Sequence, residues 1–256
     1  MQKIPKIIHY VWVGNKPKDD LFHACFKSWQ EHLPDYKIME WNEKTFDIKK
    51  HFQVQKALEQ NNYAYASDII RVWALKEHGG VYFDTDMFIT KNIDHLLKYD
   101  LFLSYEAKHW LGSAIVGSVK NHPTLNLIYA RYDTKDEINF NTNALTVHAY
   151  TAALKNLYNF KPNGKKQEFN NILILPSEYF YPINYMTLKK ETTDNTLGIH
   201  YYKGSWHTEE QLKGFNFAKT SRKILGKHIF SFFEKIVANN YNRKLQKDFR
   251  KIQNKQ

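Results

Sequence analysis

The chain has 256 residues, of which 43% are hydrophobic and 16% aromatic, so it can bury a substantial core and does not belong to the disordered class. Its formal net charge of +11 is uneven, because eleven Lys or Arg against two acidic residues place about +9 in residues 219–256. Since the rest of the chain is nearly neutral and shows no recognition motif, nucleic-acid binding is not expected.

The cysteine content and the hydropathy pattern bear on the compartment. A single cysteine, Cys25, cannot form an internal disulfide, which agrees with a reducing compartment. No segment approaches the roughly 20 apolar residues that a membrane-spanning helix needs. The apolar run over 7–13 is short, contains His9 and lacks a small-residue cleavage site after it, so it predicts a buried strand and not a signal peptide.

Strand and helix signals alternate along the first part of the chain. In order, the patterns predict a strand over 6–13, a helix over 19–32, a strand over 36–41, a helix over 63–78 and a strand over 81–89. Gly79 and Gly80 are expected to end the second helix, because glycine tolerates a positive φ there. Beyond residue 94 we expect short strands at 101–105, 113–119 and 172–176, and helices at 123–132 and 146–157. The alternation predicts α/β layers.

Residues 218–256 are predicted to form a basic amphipathic helical tail that follows a catalytic domain of residues 1–217. One face of its first part is apolar, and Leu245, Phe249 and Ile252 indicate that a helix continues toward the C-terminus. A helix of this kind suits an anionic membrane surface. A helix that packs on the domain with its basic side in solvent, and a dimerisation helix, are the two alternatives.

Two carboxylates at the end of a predicted strand are the most informative feature. Asp84 and Asp86 are two residues apart, so in a strand they would point to the same side, into the crevice where ligands of open α/β sheets bind. Two carboxylates at such a short distance repel each other unless a cation lies beside them. Mg²⁺ or Mn²⁺ is the natural candidate, because both take oxygen ligands and share them with phosphates. A solvated strand end is the alternative.

A second acidic residue and an arginine lie just upstream, on the predicted helix that leads into this strand. Asp68 and Arg71 are three residues apart and therefore share one helix face. An ordinary intrahelical ion pair, contributing a few tenths of a kcal/mol, would also explain them.

The order Ser67-Asp68-x-x-Arg71, a helix, and then Gly-Gly-x-Tyr-x-Asp84-x-Asp86 resembles the hallmark block of the family-32 glycosyltransferases. These enzymes have a sugar-binding region with a DXD motif, act in bacterial capsule and surface-polysaccharide synthesis, and are related to the yeast initiating α-mannosyltransferase. The glucosylating domains of the large clostridial toxins carry a similar block. Residues 4–14 resemble the opening strand of the family, and residues 200–206 resemble its closing His…Ser-Trp motif.

The resemblance implies a GT-A fold, a Rossmann-like α/β sandwich that binds a nucleotide-sugar, and a set of donor contacts. By position, Trp12 would stack on the base of the donor, although an ordinary core tryptophan is the alternative. Asp68 and Arg71 would hold hydroxyls of the transferred sugar, with Tyr82 lining the same pocket. Asp84 would contact the ribose or the sugar. Asp68, Arg71, Asp84 and Asp86 are the implied catalytic residues.

The metal and the closing loop follow from the same resemblance. Asp86 would bind Mn²⁺ or Mg²⁺ directly, Asp84 would reach it through water, and His200 would be a further protein ligand. Ser205 and Trp206 would close over the diphosphate. Around Asn143 the sequence lacks the Gly-Pro that relatives often have in the corresponding segment. Whether this segment contacts the acceptor or the sugar is therefore left open.

The implied function is transfer of a sugar, with retention of its anomeric configuration, from a UDP-sugar to a carbohydrate in capsule, lipopolysaccharide or exopolysaccharide synthesis. The acceptor is expected to be attached to a lipid, and the enzyme to lie in the cytoplasm, peripheral at the inner face of the membrane. A toxin-like effector that glycosylates a host protein, a metal-dependent phosphohydrolase and a non-enzymatic binding module are the alternatives.

Overall fold

The computed structural model describes residues 2–133, 146–185, 188–203 and 235–254. Its strands are β1 (Ile7–Val11), β2 (Lys37–Trp41), β3 (Gly80–Phe83), β4 (Met87–Ile89), β5 (Leu101–Ala107), β6 (Trp110–Ser118), β7 (Gln167–Phe169), β8 (Ile172–Leu175) and β9 (Gly198–His200). Its helices are α1 (Asp20–His32), α2 (Phe52–Glu59), α3 (Tyr63–His78), α4 (Pro123–Tyr132), α5 (Thr146–Tyr158) and α6 (235–253). No helix in these ranges is long and apolar enough to cross a membrane.

A mixed sheet of seven strands, in the order β2-β1-β3-β6-β5-β8-β7, forms the centre of the fold. Strands β2, β1 and β3 run parallel to one another, whereas β6 runs antiparallel to both β3 and β5. Strands β4 and β9 form a separate antiparallel pair. The α/β architecture predicted from the alternation of strand and helix signals is therefore confirmed.

Each face of the sheet has its own hydrophobic core, and the residues of β3 alternate between them. Val81 and Phe83 pack in the core that includes α1, whereas Tyr82 packs in the core that includes α3, α4 and α5. This alternation follows from the two-residue period of a strand. It directs the Tyr82 side chain toward helix α3.

The single strand predicted over 81–89 is wrong, because the chain leaves the central sheet after Phe83 and forms a turn. The Met87 N–H donates to the Asp84 carbonyl at 2.9 Å, and β4 then begins at Met87 and pairs with β9. Asp84 and Asp86 therefore lie in the turn and not in a strand. Their closeness depends on this turn and not on the period of a strand.

Three short elements were not predicted from the sequence. Helix α2 has only eight residues, and strands β7 and β9 have three residues each. Such segments are too short to show a hydrophobic period, so pairing with neighbouring elements decides their conformation.

Gly79 ends helix α3 as predicted, with φ of 65°, and its N–H donates to the Leu75 carbonyl at 2.8 Å. Gly80 follows with φ of 111°, and a Cβ there would lie 2.6 Å from the Ile7 carbonyl oxygen. Only glycine fits this close approach, so the Gly-Gly pair sets how α3 leads into β3.

Helix α6 packs on the domain through its apolar residues. Leu245 and Phe249 are buried in the same core as α3, α4 and α5, and Ile252 packs against it. Polar contacts join α6 to α5 through Asn156 Nδ2 and Gln253 Oε1, 2.7 Å apart, and to α4 through an ion pair of Arg131 with Asp248. The packing alternative is therefore the one observed for residues 235–253, while 204–234 lie outside the described residues.

Buried histidines predict a loss of stability in mild acid. The His9 ring is fully buried, its Nε2 is 2.7 Å from the Gly79 carbonyl oxygen, and its Nδ1 accepts from Trp41 Nε1 at 3.1 Å. The neutral ring satisfies both contacts, whereas a proton on Nδ1 would face the Trp41 N–H. Burial lowers the pKa of His9 to about 4. The unfolded chain therefore binds this proton first as the pH falls below about 6.5.

We expect the free energy of unfolding to fall by about 2 kcal/mol from His9 alone between pH 7 and pH 5. Burial also lowers the pKa values of His122 and His148 to about 4, so they add to the loss. Urea unfolding at both pH values measures the difference for the wild type and for His9→Gln. The variant should be less stable at pH 7 but lose less stability on acidification. An equal loss in the two proteins would contradict a neutral His9.

Candidate active site

Elements that are distant in sequence place the predicted residues around one point. Helix α3 carries Asp68 and Arg71, the end of β3 and the following turn carry Asp84 and Asp86, and β9 carries His200. Pairing of β4 with β9 sets Met87 opposite His200 and so brings the histidine beside the turn. The predicted acidic, basic and imidazole groups therefore come together.

Arg71 connects helix α3 to the acidic turn. Its Nη2 lies 2.9 Å from Asp84 Oδ1 and 3.2 Å from Asp68 Oδ1, and its Nη1 donates to the Ser113 carbonyl at 3.0 Å. The guanidinium also lies over the Tyr82 ring, 4.6 Å from its centroid. With the residue only 5% exposed, these contacts compensate the burial of its charge. The intrahelical pair with Asp68 is present, but it is one part of a larger network.

Asp84 is held from two sides. Its Oδ1 accepts from Arg71 and, at 2.8 Å, from the Tyr82 hydroxyl. Burial raises the pKa of Tyr82 well above its usual value, so the phenol stays protonated and remains a donor. These two donors leave Oδ2, the other carboxylate oxygen, directed to the His200 side, 3.9 Å from its Nε2.

The groups of Asp84, Asp86 and His200 that could bind a metal all lie within 4.8 Å of one another. His200 Nε2 is 3.2 Å from Asp86 Oδ1, and the Lys203 backbone N–H donates to Asp86 Oδ2 at 2.8 Å. Two carboxylates and one imidazole form a donor set that suits Mn²⁺ and accommodates Mg²⁺. The residues present therefore fit a divalent cation.

Charges within this cluster shift the pKa values in opposite directions. Burial raises the pKa of the Asp86 carboxyl, but the charge and hydrogen bond of His200 outweigh burial and lower it to about 2. Burial lowers the pKa of His200, but the Asp86 carboxylate outweighs it and raises that pKa above its usual value. Because a metal binds the neutral imidazole, protonation of His200 and binding of a cation there would compete.

Two residues beside His200 were not assigned a role from the sequence. The Tyr202 ring lies 4.2 Å from the His200 ring, and its backbone has φ of 53°, which is uncommon for a tyrosine. Glu106, at the end of β5, faces His200, and burial raises its pKa above the usual value. Strand β5 is separated from β3 by one strand, β6, in the sheet. The hydrophobic pattern of each strand alone does not reveal the order of strands, so this proximity could not be predicted.

Trp12 follows directly after β1, at the same edge of the sheet as the acidic turn, because β1 and β3 are neighbouring parallel strands. Its Nε1 donates to the Lys16 carbonyl at 2.8 Å, and its ring packs on Phe22 with 5.1 Å between centroids. The half-buried ring lines a cavity of about 340 Å³. The other residues that line this cavity are Asn15, Lys16, Lys18, Glu40, Asn42, Glu43 and Lys44. The stacking role that the resemblance implies for Trp12 stays a prediction.

Three residues named from the sequence lie outside the described residues. They are Asn143, Ser205 and Trp206. The described residues break off after Lys203 and resume at residue 235, so the roles expected of the Ser-Trp motif stay predictions.

Comparison with known proteins supports the resemblance. The family model described as "Glycosyltransferase sugar-binding region containing DXD motif" matches residues 19–103. Inositol phosphoceramide mannosyltransferase 3 of Schizosaccharomyces pombe is 29% identical over 126 residues, 48% of this chain and 35% of the relative. The mannosyl phosphorylinositol ceramide synthase CSH1 of Saccharomyces cerevisiae is 30% identical over 126 residues, 48% of this chain and 33% of the relative.

A solved structure, the PaToxG glycosyltransferase, is similar with a TM-score of 0.48 and 20% identity, over 62% of this chain and 70% of the other. The chain spans about a third of the length of the two yeast relatives. The family match covers Asp68, Arg71, Tyr82, Asp84 and Asp86, which are the residues that converge in the structure. Residues 19–103 of this chain therefore match the DXD-containing sugar-binding region that the family model describes.

Proposed function

We propose that this protein is a metal-dependent glycosyltransferase that moves a sugar from a nucleoside diphosphate sugar to a carbohydrate acceptor. The observation that carries the proposal is the placement of the Asp84, Asp86 and His200 cluster beside the Arg71 and Asp68 pair. The cluster suits a divalent cation with its diphosphate, and the pair suits the hydroxyls of a sugar. Both lie at the end of β3, where α/β sheets bind ligands.

Different residues of the chain are proposed to hold the donor and the cation. Asp86 and His200 are proposed as direct ligands, and Asp84 as a ligand through water. A divalent cation bound there would supply neutralisation of the charge that develops on the departing diphosphate. Arg71 holds Asp84 in place through the 2.9 Å contact, so the cluster is preorganised before donor binds. Trp12 is proposed to stack on the base.

We propose retention of configuration through attack on the same face of the sugar from which the diphosphate leaves. The bond between the anomeric carbon and the phosphate oxygen breaks, the acceptor oxygen bonds to that carbon, and the acceptor proton goes to the departing phosphate oxygen. We propose that the Asp68 carboxylate, which is 16% exposed, stabilises the positive charge on the sugar in this transition state. No covalent intermediate with the protein is needed.

The proposed acceptor is a carbohydrate attached to a lipid, as in capsule or lipopolysaccharide synthesis. One yeast relative is named an inositol phosphoceramide mannosyltransferase and the other a mannosyl phosphorylinositol ceramide synthase, so both names contain a ceramide lipid. Helix α6 turns a row of exposed basic side chains to solvent, and these are Lys235, Arg243, Lys244, Lys247, Arg250 and Lys251. We propose that this basic face binds anionic lipids at the cytoplasmic side of a membrane, since each nearby Lys or Arg contributes about 1 kcal/mol. The apolar residues of α6 are not available for this contact, because they are buried in the core.

A donor screen with Mn²⁺ tests the proposed activity. We expect nucleoside diphosphate release from one donor among UDP-glucose, UDP-galactose, their N-acetylated forms and GDP-mannose, with UDP-sugars favoured. Release should stop with EDTA and return with Mn²⁺. Failure to bind or cleave any of these donors would contradict the proposal. Release of inorganic phosphate would indicate a phosphohydrolase, and sugar transferred to protein in a host lysate would indicate an effector.

A further inference from the structure

Lys203 lies between the cluster that suits a metal and the first helix, and it contacts both. Its backbone N–H donates to Asp86 Oδ2 at 2.8 Å. Its ammonium forms an ion pair with Asp19 Oδ2. The lysine is three residues beyond His200, so the backbone contact fixes it next to the cluster.

Asp19 has two separate roles in the structure. Its Oδ1 caps helix α1 by accepting from the Phe22 N–H at 2.9 Å, and its Oδ2 pairs with Lys203. The two side chains are 40% and 38% exposed, respectively. Exposed ion pairs contribute little stability, so Lys203 can leave Asp19 at low cost. The cap does not depend on the ion pair, because it uses the other oxygen.

The ion pair lies beside the path from the proposed base site to the proposed metal site. Phe22, one turn beyond Asp19 in α1, packs on Trp12 with 5.1 Å between the ring centroids. At the other end, Lys203 contacts Asp86 through its backbone. Asp19 and Lys203 therefore connect the residues around Trp12 to Asp86, and a nucleoside diphosphate with its base on Trp12 and its phosphates at Asp86 would lie near the Lys203 ammonium.

We propose that Lys203 is a switching diphosphate ligand, paired with Asp19 in the free protein and with the donor diphosphate in the complex. This inference rests on the proposed function. Arg71 is not available to the diphosphate, because its guanidinium already contacts Asp68, Asp84 and the Ser113 carbonyl. The diphosphate can therefore accept a further cationic ligand beside the proposed metal ion. A diphosphate is a stronger partner for an ammonium than a single exposed carboxylate, because it offers several charged oxygens.

Calorimetric titration with UDP at saturating Mn²⁺ tests the proposal, with GDP in its place if the donor screen selects GDP-mannose. Lys203→Gln keeps the backbone N–H and should raise the Kd about tenfold. Asp19→Asn keeps the helix cap, since asparagine caps as well as aspartate, and should lower the Kd by about two- to threefold. Lys27→Gln, which removes an exposed lysine paired with Glu31 on the same helix, is the matched control and should leave the Kd unchanged.

The corresponding nucleoside, which lacks phosphates, separates a diphosphate contact from a structural effect. Its affinity should be the same in all four proteins. If Lys203→Gln left the Kd of the diphosphate within twofold of the wild type, or weakened the nucleoside equally, the proposal would be wrong. If Asp19→Asn weakened binding as much as Lys203→Gln, the ion pair would be structural and the switch would be wrong. If the wild type bound no nucleoside diphosphate, the proposed function itself would fail.

Discussion

Replacing Asp86 by asparagine is expected to reduce sugar transfer by about a thousandfold and to weaken Mn²⁺ binding by about a hundredfold. The change removes one negative charge while it keeps the size of the side chain and an oxygen that can accept from Lys203. His200 would lose the charged partner that lies 3.2 Å away, so its pKa would fall toward its ordinary value. Calorimetric titration with Mn²⁺ measures the metal affinity directly, and nucleoside diphosphate release measures the transfer.

The matched control for this variant is Asp35→Asn, which removes the same charge from an aspartate that is 77% exposed and pairs with Lys6 at 3.6 Å. It should bind Mn²⁺ and transfer sugar as the wild type does. Retention of both Mn²⁺ affinity and transfer in Asp86→Asn would show that the Asp84, Asp86 and His200 cluster is not the metal site. Loss of transfer with unchanged Mn²⁺ affinity would place Asp86 outside the metal coordination.

Replacing Arg71 by methionine is expected to lower both stability and activity. The variant would leave the partly buried carboxylates of Asp68 and Asp84 without the Arg71 guanidinium, whose Nη2 now lies 3.2 Å and 2.9 Å from them, respectively. Breaking a buried ion pair by removing one partner costs roughly 3–5 kcal/mol, so we expect a loss of about 3 kcal/mol in the free energy of unfolding. Urea unfolding measures this loss. Transfer should also fall at least a hundredfold, because Asp84 loses one of its two fixed donors.

A second variant separates the effects of Arg71 on stability and on catalysis. In Arg71→Met with Asp84→Asn, the uncompensated carboxylate at position 84 is neutral, so about 1 kcal/mol of the lost stability should return. Activity should not return, because Asp84 belongs to the proposed site. If Arg71→Met were as stable as the wild type, the network around the guanidinium would not hold the turn in place.

The sequence was sufficient to predict the α/β layers, the main helices and which residues converge. The prediction that Asp84 and Asp86 come together within one strand was wrong, because they lie in a turn. Helix α3 and the Gly-Gly junction follow from local signals, namely helical spacing and the positive φ that glycine allows. The break between β3 and β4 does not. Apolar residues on both sides of Asp84-Thr85-Asp86 predict one continuous strand over residues 81–89. The chain leaves the sheet there because Met87–Ile89 pairs with β9, which is more than 100 residues further on and gives no local signal.

The same limit applies to Glu106, Tyr202 and Lys203. Their proximity to the acidic turn arises from the order of strands and from the pairing of β4 with β9, which are long-range contacts. The buried side of helix α6 was a similar case. Its apolar spacing was recognised, but one sequence does not tell whether such a face meets a membrane or the neighbouring helices, and here Phe249 meets the core.

The pairing of β4 with β9 has a consequence for how the site is assembled. Met87 and His200 are neighbours although 113 positions separate them in the sequence, a stretch that includes β5, β6, β8 and the helices beside them. Contacts between residues so far apart in sequence carry a loop-closure entropy and form slowly. We therefore expect Asp84 and Asp86, which are two residues apart, to come together earlier in folding than the His200 imidazole joins them, so that the proposed metal site would be completed late.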